Sequence, residues 1–107
     1  MKQITETEFE SEVLRSKEPV LVDFYTDSCP PCRMMAPVLQ EMETEANGAF
    51  KVVKVDAATE ASLAASYNVR SVPSFFAFAN GKCVGQTLGA KSKANMKKWL
   101  EDSIRTA

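Results

Sequence analysis

Two cysteines that flank two prolines are the residues of this sequence best suited to chemistry. Cys29 and Cys32 enclose Pro30 and Pro31, and this spacing at the start of a helix allows the two sulfur atoms to form a disulfide. A Cys-x-x-Cys pair beside alternating strands and helices is typical of thiol–disulfide exchange. The other interpretations are a pair of core cysteines or half of a zinc ribbon. Structural zinc takes four ligands, and the chain has no histidine and no second Cys-x-x-Cys pair, which favours redox chemistry.

The two thiols of this pair are expected to have different roles. Cys29 precedes the first helical turn, where free backbone N–H groups and the helix dipole favour a thiolate, so we expect Cys29 to attack the substrate. Cys32 lies one turn further on, and we expect it to be buried and to resolve the mixed disulfide. Cys83, in a later strand, is expected to pack in the core, with a regulatory or dimerising thiol as the alternative.

Composition excludes several other classes of protein. The 107 residues suffice for one domain, which we place at 1–107, and their hydrophobic and charged fractions are those of a soluble globular protein. With 13 basic and 14 acidic residues and no run of like charge, neither nucleic acid nor a membrane surface is an expected partner. The absence of histidine excludes Ser-His-Asp and Cys-His catalysis. No apolar stretch could span a bilayer and no secretory signal is recognisable, so we expect a cytoplasmic protein.

The hydrophobic pattern predicts an α/β protein with one mixed sheet and helices on both of its faces. Predicted strands cover 20–25, 50–55, 75–79 and 82–88, and an Asn80-Gly81 hairpin joins the last two. Helices are predicted to begin at Thr7, Cys29, Thr59 and Ser92. The helix after the cysteines is expected to end at Asn47-Gly48. Its apolar stripe, expected to face the core, consists of Met34, Met35, Val38, Leu39 and Met42.

Asp23 is the exception in an otherwise apolar strand. Burial of its carboxyl group would raise the pKa toward neutrality, and Asp23 could then exchange a proton with Cys32. The alternative is an aspartate that is simply hydrogen-bonded at a strand end. Lys54 interrupts a run of valines in the next strand and is either the partner of Asp23 or a solvated lysine.

These motifs resemble those of the thioredoxin family, and the resemblance extends from Phe9 to Leu100. The family's strand with a buried aspartate, followed by its Cys-x-x-Cys motif, is similar to residues 20–33. The family's helix proline, its cis-proline motif and its later glycines are similar to Pro37, to Arg70-Ser71-Val72-Pro73-Ser74, and to Gly81 and Gly89. The resemblance implies a thioredoxin fold, a cis peptide bond between Val72 and Pro73, and the reduction of protein disulfides.

The same resemblance implies which residues and partners take part. Asp23 would relay a proton to Cys32, with Lys54 nearby. A substrate strand would pair with the backbone of Val72 beside the cysteines. The implied substrate-binding surface consists of Val72, Pro73, Pro30, Pro31 and Gly89. The implied partners are disulfide-containing proteins and a thioredoxin-reductase-like electron donor; no bound cofactor is needed, and we expect a monomer.

Three positions depart from the family pattern. Pro30 stands where the family has glycine, Ser28 where it has tryptophan, and Tyr25 where it has another tryptophan. Pro30 removes a backbone N–H that would help to solvate the Cys29 thiolate, so the redox potential and the direction of use stay open. A disulfide isomerase or oxidant is therefore the chief alternative. Outside redox catalysis, the alternatives are a binding module with an incidental dithiol and a metal carrier that uses all three cysteines.

Overall fold

Strands and helices alternate along the chain. The computed structural model describes residues 1–106. In chain order the elements are β1 (Lys2–Gln3), α1 (Glu6–Phe9), β2 (Val20–Tyr25), α2 (Pro30–Ala46), β3 (Lys51–Asp56), α3 (Ala61–Ser66), β4 (Ser74–Ala79), β5 (Lys82–Leu88) and α4 (Lys93–Arg105). A π-helical turn over Glu10–Leu14 continues α1. Within the described residues, no helix is long and apolar enough to span a membrane.

The strands form one mixed sheet in the order β1–β3–β2–β4–β5. β1 and β2 run parallel to β3, whereas β4 is antiparallel to both β2 and β5. Parallel β2 and β3 need a crossover connection, and α2 supplies it. Asn80 and Gly81 turn the chain between β4 and β5 with φ values of 53° and 79°, a conformation that suits these two residue types. The predicted fold and the predicted hairpin are confirmed.

Helices cover both faces of the sheet. Successive side chains of the central strand β2 point to opposite faces, so each face presents apolar side chains that a helix can cover. Val20, Val22 and Phe24 pack with residues of α1 and α3 against one face. Leu21 belongs to a second buried cluster with residues of α2 and α4. Asp23 follows Leu21 at an interval of two residues and therefore lies on the face that α2 covers.

The helix α2 is the element that positions the cysteine pair. Cys29 is its N-cap, and Asn47, in the left-handed conformation with φ 49°, is its C-cap, so both ends agree with the prediction. Met35 and Met42 are buried as predicted. The prediction for Met34 is wrong, since this side chain is 69 % exposed. Met35, Leu39 and Met42 recur at intervals of four and three residues and form the buried line of the stripe, whereas Met34 lies about 100° from Met35 around the helix, at the edge of the stripe.

Several element boundaries differ from the predicted ones. β1 was not predicted, because two residues are too few to show an alternation of apolar and polar side chains. α1 begins after Thr5 rather than Thr7, and a glutamate of its first turn accepts a hydrogen bond from the Thr5 N–H at 2.9 Å. α3 begins after Glu60 rather than Thr59, because the Asp56 carboxylate binds the Thr59 N–H and holds Thr59 in the preceding turn. β3 lies one residue later than predicted.

Candidate functional site

Cys29 and Cys32 form a disulfide at the N-terminus of α2, with their Cα atoms 5.2 Å apart. Pro30 and Pro31 are the first two helical residues, where a fixed φ is favourable and the lost N–H groups would have no helical partner. The Cys32 N–H donates to Cys29 Sγ at 3.1 Å. Cys29 is 8 % exposed and Cys32 is 4 % exposed, whereas both prolines are exposed. Cys32 is therefore buried, as predicted.

The loop before β4 lies against Cys29. Its Val72–Pro73 peptide bond is cis, as the resemblance implies. The Val72 carbonyl oxygen lies 3.8 Å from Cys29 Sγ, and since a disulfide sulfur carries no hydrogen, this is a contact rather than a hydrogen bond. Within residues 1–106, neither the N–H nor the C=O of Val72 takes part in a backbone hydrogen bond. A donor and an acceptor are thus available beside the disulfide.

Gly89 supports this loop from the end of β5. Its N–H donates to the Pro73 carbonyl oxygen at 2.9 Å. The φ of Gly89 is +91°, and no atom lies within 4 Å of the position that a Cβ would occupy. Glycine is therefore required here by backbone conformation and not by lack of space.

Asp23, Cys32 and Lys54 line one cavity of about 170 Å³ beside the disulfide. Asp23 is 3 % exposed, and its Oδ1 atom has no hydrogen-bond partner in the part of the chain that the structure describes. Burial raises the pKa of Asp23 to about 7, and the positive charge of Lys54 opposes part of this rise. The predicted burial of Asp23 and the predicted rise in its pKa are confirmed.

Lys54 lies opposite Asp23 in the register of β2 and β3. Its ammonium nitrogen is 5.3 Å from the ring centroid of Tyr25. Among residues 1–106, Lys54 forms no ion pair with the Asp23 carboxylate, although the two residues are neighbours in the sheet. The sequence predicts Lys54 as a neighbour of Asp23, but no pattern in it indicates that the Lys54 ammonium group lies over an aromatic ring.

The prediction that Cys83 packs in the core is wrong. Cys83 is a free thiol with an exposed side chain in β5. β5 is an edge strand whose residues are exposed or half-buried, so an apolar residue type in it is not evidence of a core position. Over the described part of the chain, no three side chains of metal-ligating type lie together. The three cysteines therefore do not assemble a metal site.

Of the other residues that line the cavity beside Asp23, Arg33 and Tyr25 carry chemical groups that were not predicted as part of the site. The Arg33 guanidinium donates to the Asp27 carbonyl oxygen at 2.7 Å, which ties α2 to the loop before the cysteines. Tyr25 lies two residues after Asp23 in β2, on the same face of the sheet. This interval of two is the sequence signal that could have placed Tyr25 at the site.

Comparison with known proteins identifies the family of this site. Residues 1–102 match the family model described as Thioredoxin. The chain belongs to the thioredoxin family. It is 41 % identical over 102 residues to Thioredoxin 1 of Nostoc sp., a match that covers 95 % of each chain. It is 37 % identical over 100 residues to Thioredoxin C-2 of Corynebacterium nephridii, covering 94 % of this chain and 93 % of the relative.

A third relative has a different organisation. A bifunctional thioredoxin reductase/thioredoxin of Mycobacterium leprae is 38 % identical over 102 residues, which cover 95 % of this chain and 22 % of the relative. Membership of the thioredoxin family, together with the Cys29–Cys32 disulfide, makes the chain a thiol–disulfide oxidoreductase, an enzyme that reduces protein disulfides. The isomerase and binding-module alternatives are not favoured.

Proposed function

We propose that Cys29 and Cys32 reduce disulfides of other proteins in two exchange steps. First, the Cys29 thiolate attacks one substrate sulfur, a Cys29–substrate disulfide forms, and the other substrate sulfur leaves as a thiolate. Then Cys32 loses its proton and attacks Cys29 Sγ, which closes the Cys29–Cys32 disulfide and releases the second substrate thiolate. The observation that carries this proposal is the disulfide at the N-terminus of α2, in contact with the backbone of Val72.

The N-terminus of α2 supplies the stabilisation that the Cys29 thiolate requires. As the N-cap, Cys29 holds its sulfur 3.1 Å from the N–H of Cys32, and the helix dipole favours negative charge at the same end. Pro30 and Pro31 have no N–H to contribute. The hydrogen bond from Cys32 is therefore the local contact on which the thiolate most depends.

We assign to Asp23 the role of accepting and returning the proton of Cys32. The two side chains line the same cavity. A carboxyl group with a pKa of about 7 is present in both protonation states near neutral pH, so it can accept a proton when Cys32 attacks and return it when the dithiol is regenerated. Lys54 acts on this equilibrium, because its positive charge favours the ionised carboxylate.

The substrate-binding surface that we propose consists of Val72, Pro73, Gly89, Pro30 and Pro31. The available N–H and C=O of Val72 can pair with an extended substrate segment, as when a strand is added to the edge of a sheet. Such main-chain pairing gives affinity without requiring a particular side chain. This arrangement suits an enzyme that reduces many different proteins.

Gly89→Ala tests the contribution of this surface. An alanine at φ +91° should lower the free energy of unfolding by about 1 to 2 kcal/mol, measured by urea unfolding of the oxidised protein. Gly48→Ala is the matched control, because Gly48 has φ +90° and equally open surroundings at the opposite end of α2 from the disulfide. We expect similar losses of stability, but slower reduction of a protein disulfide in Gly89→Ala alone. Equal rates in the two variants would remove Gly89 from the proposed surface.

The electrons are proposed to come from a separate reductase. The Mycobacterium leprae relative, whose name joins thioredoxin reductase and thioredoxin in one protein, supports a partner of that kind. The dithiol carries the electrons itself, so no resident cofactor is part of the proposal. We further propose that the chain acts as a single-domain monomer in the cytoplasm, in electron transport that maintains cell redox homeostasis.

The reduction potential of the Cys29–Cys32 pair tests the proposed direction of use. The protein would carry Cys83→Ser, so that the exposed third thiol cannot exchange, and would be equilibrated in dithiol and glutathione buffers before thiol trapping and mass spectrometry. The established values are about −270 mV for thioredoxin and about −180 mV for protein disulfide isomerase. We expect a value near the first. A value near the second would contradict a reductase, and the absence of any intramolecular disulfide would contradict the whole mechanism.

A further inference from the structure

Three side chains meet on the face of the sheet that α2 covers. Asp23 and Lys54 are direct partners in the parallel register of β2 and β3, so their side chains leave the sheet on the same face. Tyr25 follows Asp23 by two residues and shares that face. All three line the cavity that Cys32 also borders. Lys54 can therefore reach either of two groups on β2, a carboxylate or an aromatic ring.

The ammonium group of Lys54 lies over the ring. Its nitrogen is 5.3 Å from the centroid of Tyr25, within the distance of about 6 Å at which a cation is attracted to an aromatic face. Asp23 Oδ1 has no hydrogen-bond partner within residues 1–106, although the only side chain opposite Asp23 in β3 is a cation. The ring thus holds a charge that the buried carboxyl group would otherwise attract.

We propose that Tyr25 is a positioning residue, whose ring holds the Lys54 ammonium and keeps it from pairing with the carboxyl group of Asp23. An ammonium group in contact with a carboxylate favours its ionised form. Without the ring, Lys54 would pair with Asp23, and the carboxyl group would lose its proton at lower pH. The benefit of this role to the reaction rests on the proton exchange between Asp23 and Cys32 proposed above.

Other charged groups around the cavity do not replace Lys54 in this role. Arg33, on α2, directs its guanidinium to the Asp27 carbonyl oxygen. The amino group of Met1, which also lines the cavity, forms an ion pair with Glu43 at 2.8 Å. Lys54 is the cation whose charge lowers the pKa of Asp23, against the larger effect of burial. Asp56, in β3 opposite Tyr25, and Asp27 are negative and lie near the tyrosine. Among these groups, the Lys54 ammonium is therefore the one whose distance from Asp23 depends on the Tyr25 ring.

The test is the pKa of Asp23 in the oxidised protein, followed by ¹³C NMR of its carboxyl group. In Tyr25→Leu, which removes the ring, we expect this pKa to fall by about 1 or more, as an opposite charge in contact produces. In Tyr25→Phe, which keeps the ring, it should stay near the wild-type value. Tyr25→Met, which fills a similar volume without a π face, should behave like Tyr25→Leu and serves if that variant does not fold.

The pKa of Asp23 should also be measured in Lys54→Met and in Lys54→Met with Tyr25→Leu. This comparison shows whether the ring acts by positioning the ammonium group or by excluding water from the carboxyl group. If Tyr25 positions the ammonium, Tyr25→Leu should leave the pKa of Asp23 unchanged when Lys54 is absent. If Tyr25→Leu lowers the pKa of Asp23 equally with and without Lys54, the ring only excludes water. If the pKa falls in neither background, the ring has no effect on Asp23. Either result overturns the proposal.

The pH dependence of protein-disulfide reduction distinguishes this inference from the proposed function. If Asp23 exchanges its proton with Cys32, the pH profile of Tyr25→Leu should move in the same direction as the pKa. A pKa that falls as expected, with an unchanged pH profile, supports the positioning role of Tyr25 and contradicts the role of Asp23 in the reaction.

Discussion

Cys29→Ser should abolish the reduction of protein disulfides, with a rate at least about 10³-fold below that of the wild type. A serine hydroxyl is not ionised at neutral pH, so the hydrogen bond from Cys32 and the helix N-terminus have no thiolate to stabilise. Cys32→Ser should have a different defect. Its Cys29 can still attack, but nothing resolves the adduct, so about one equivalent of a Cys29–substrate disulfide should accumulate. Mass spectrometry of the protein after reaction with a disulfide-containing peptide measures both results.

Both variants should be made with Cys83→Ser, because the exposed thiol of Cys83 can form adducts of its own. The Cys83→Ser protein with an intact pair is then the matched control and should keep the wild-type rate. An adduct that accumulates in Cys29→Ser and not in Cys32→Ser would reverse the two roles. Such a reversal would conflict with the position of Cys29 at the N-cap of α2, where the Cys32 N–H and the helix dipole favour a thiolate.

Local sequence signals were sufficient for the elements that position the cysteines. The run of apolar residues with one aspartate predicts β2, and its bounds in the structure agree. Asn47 and Asn80-Gly81 end α2 and turn the final hairpin because these residues accept positive φ. Cys29 could be assigned as the helix N-cap from its position before two prolines, which favour the first turn. Each of these features depends on residues that are adjacent in the chain.

Features that depend on the neighbours of an element were harder to predict. β1 has two residues and exists only because it pairs with β3. Cys83 lies in a strand that the sequence predicts correctly, but its exposure follows from the place of β5 at the sheet edge. The register of β2 and β3 puts Lys54 opposite Asp23. Whether the Lys54 ammonium contacts an aromatic ring or a carboxyl group depends on how the side chains pack. No local pattern encodes these relations.

Asp23→Asn should change how the stability of the oxidised protein varies with pH. The carboxyl group titrates at its ordinary value of 3.8 when exposed and at about 7 in the folded protein, because it is buried. Between these values the folded protein binds one more proton than the unfolded chain, so the free energy of unfolding falls by about 1.4 kcal/mol per pH unit. Above about pH 7 the fall stops. From about pH 4 to about pH 8, the wild type should lose about 4 kcal/mol relative to the variant.

Urea unfolding of both oxidised proteins across this pH range measures the difference. Other carboxylates with lowered pKa values, such as Glu12 and Asp102, are present in both proteins, so their contributions cancel. The pKa of Tyr25 is raised from 10.0 and lies outside the range. A constant difference between the two proteins would mean that Asp23 is not protonated when folded. The expected loss would mean that, at neutral pH, this buried carboxyl group destabilises the fold, which favours a role in the chemistry of Cys32 over a structural one.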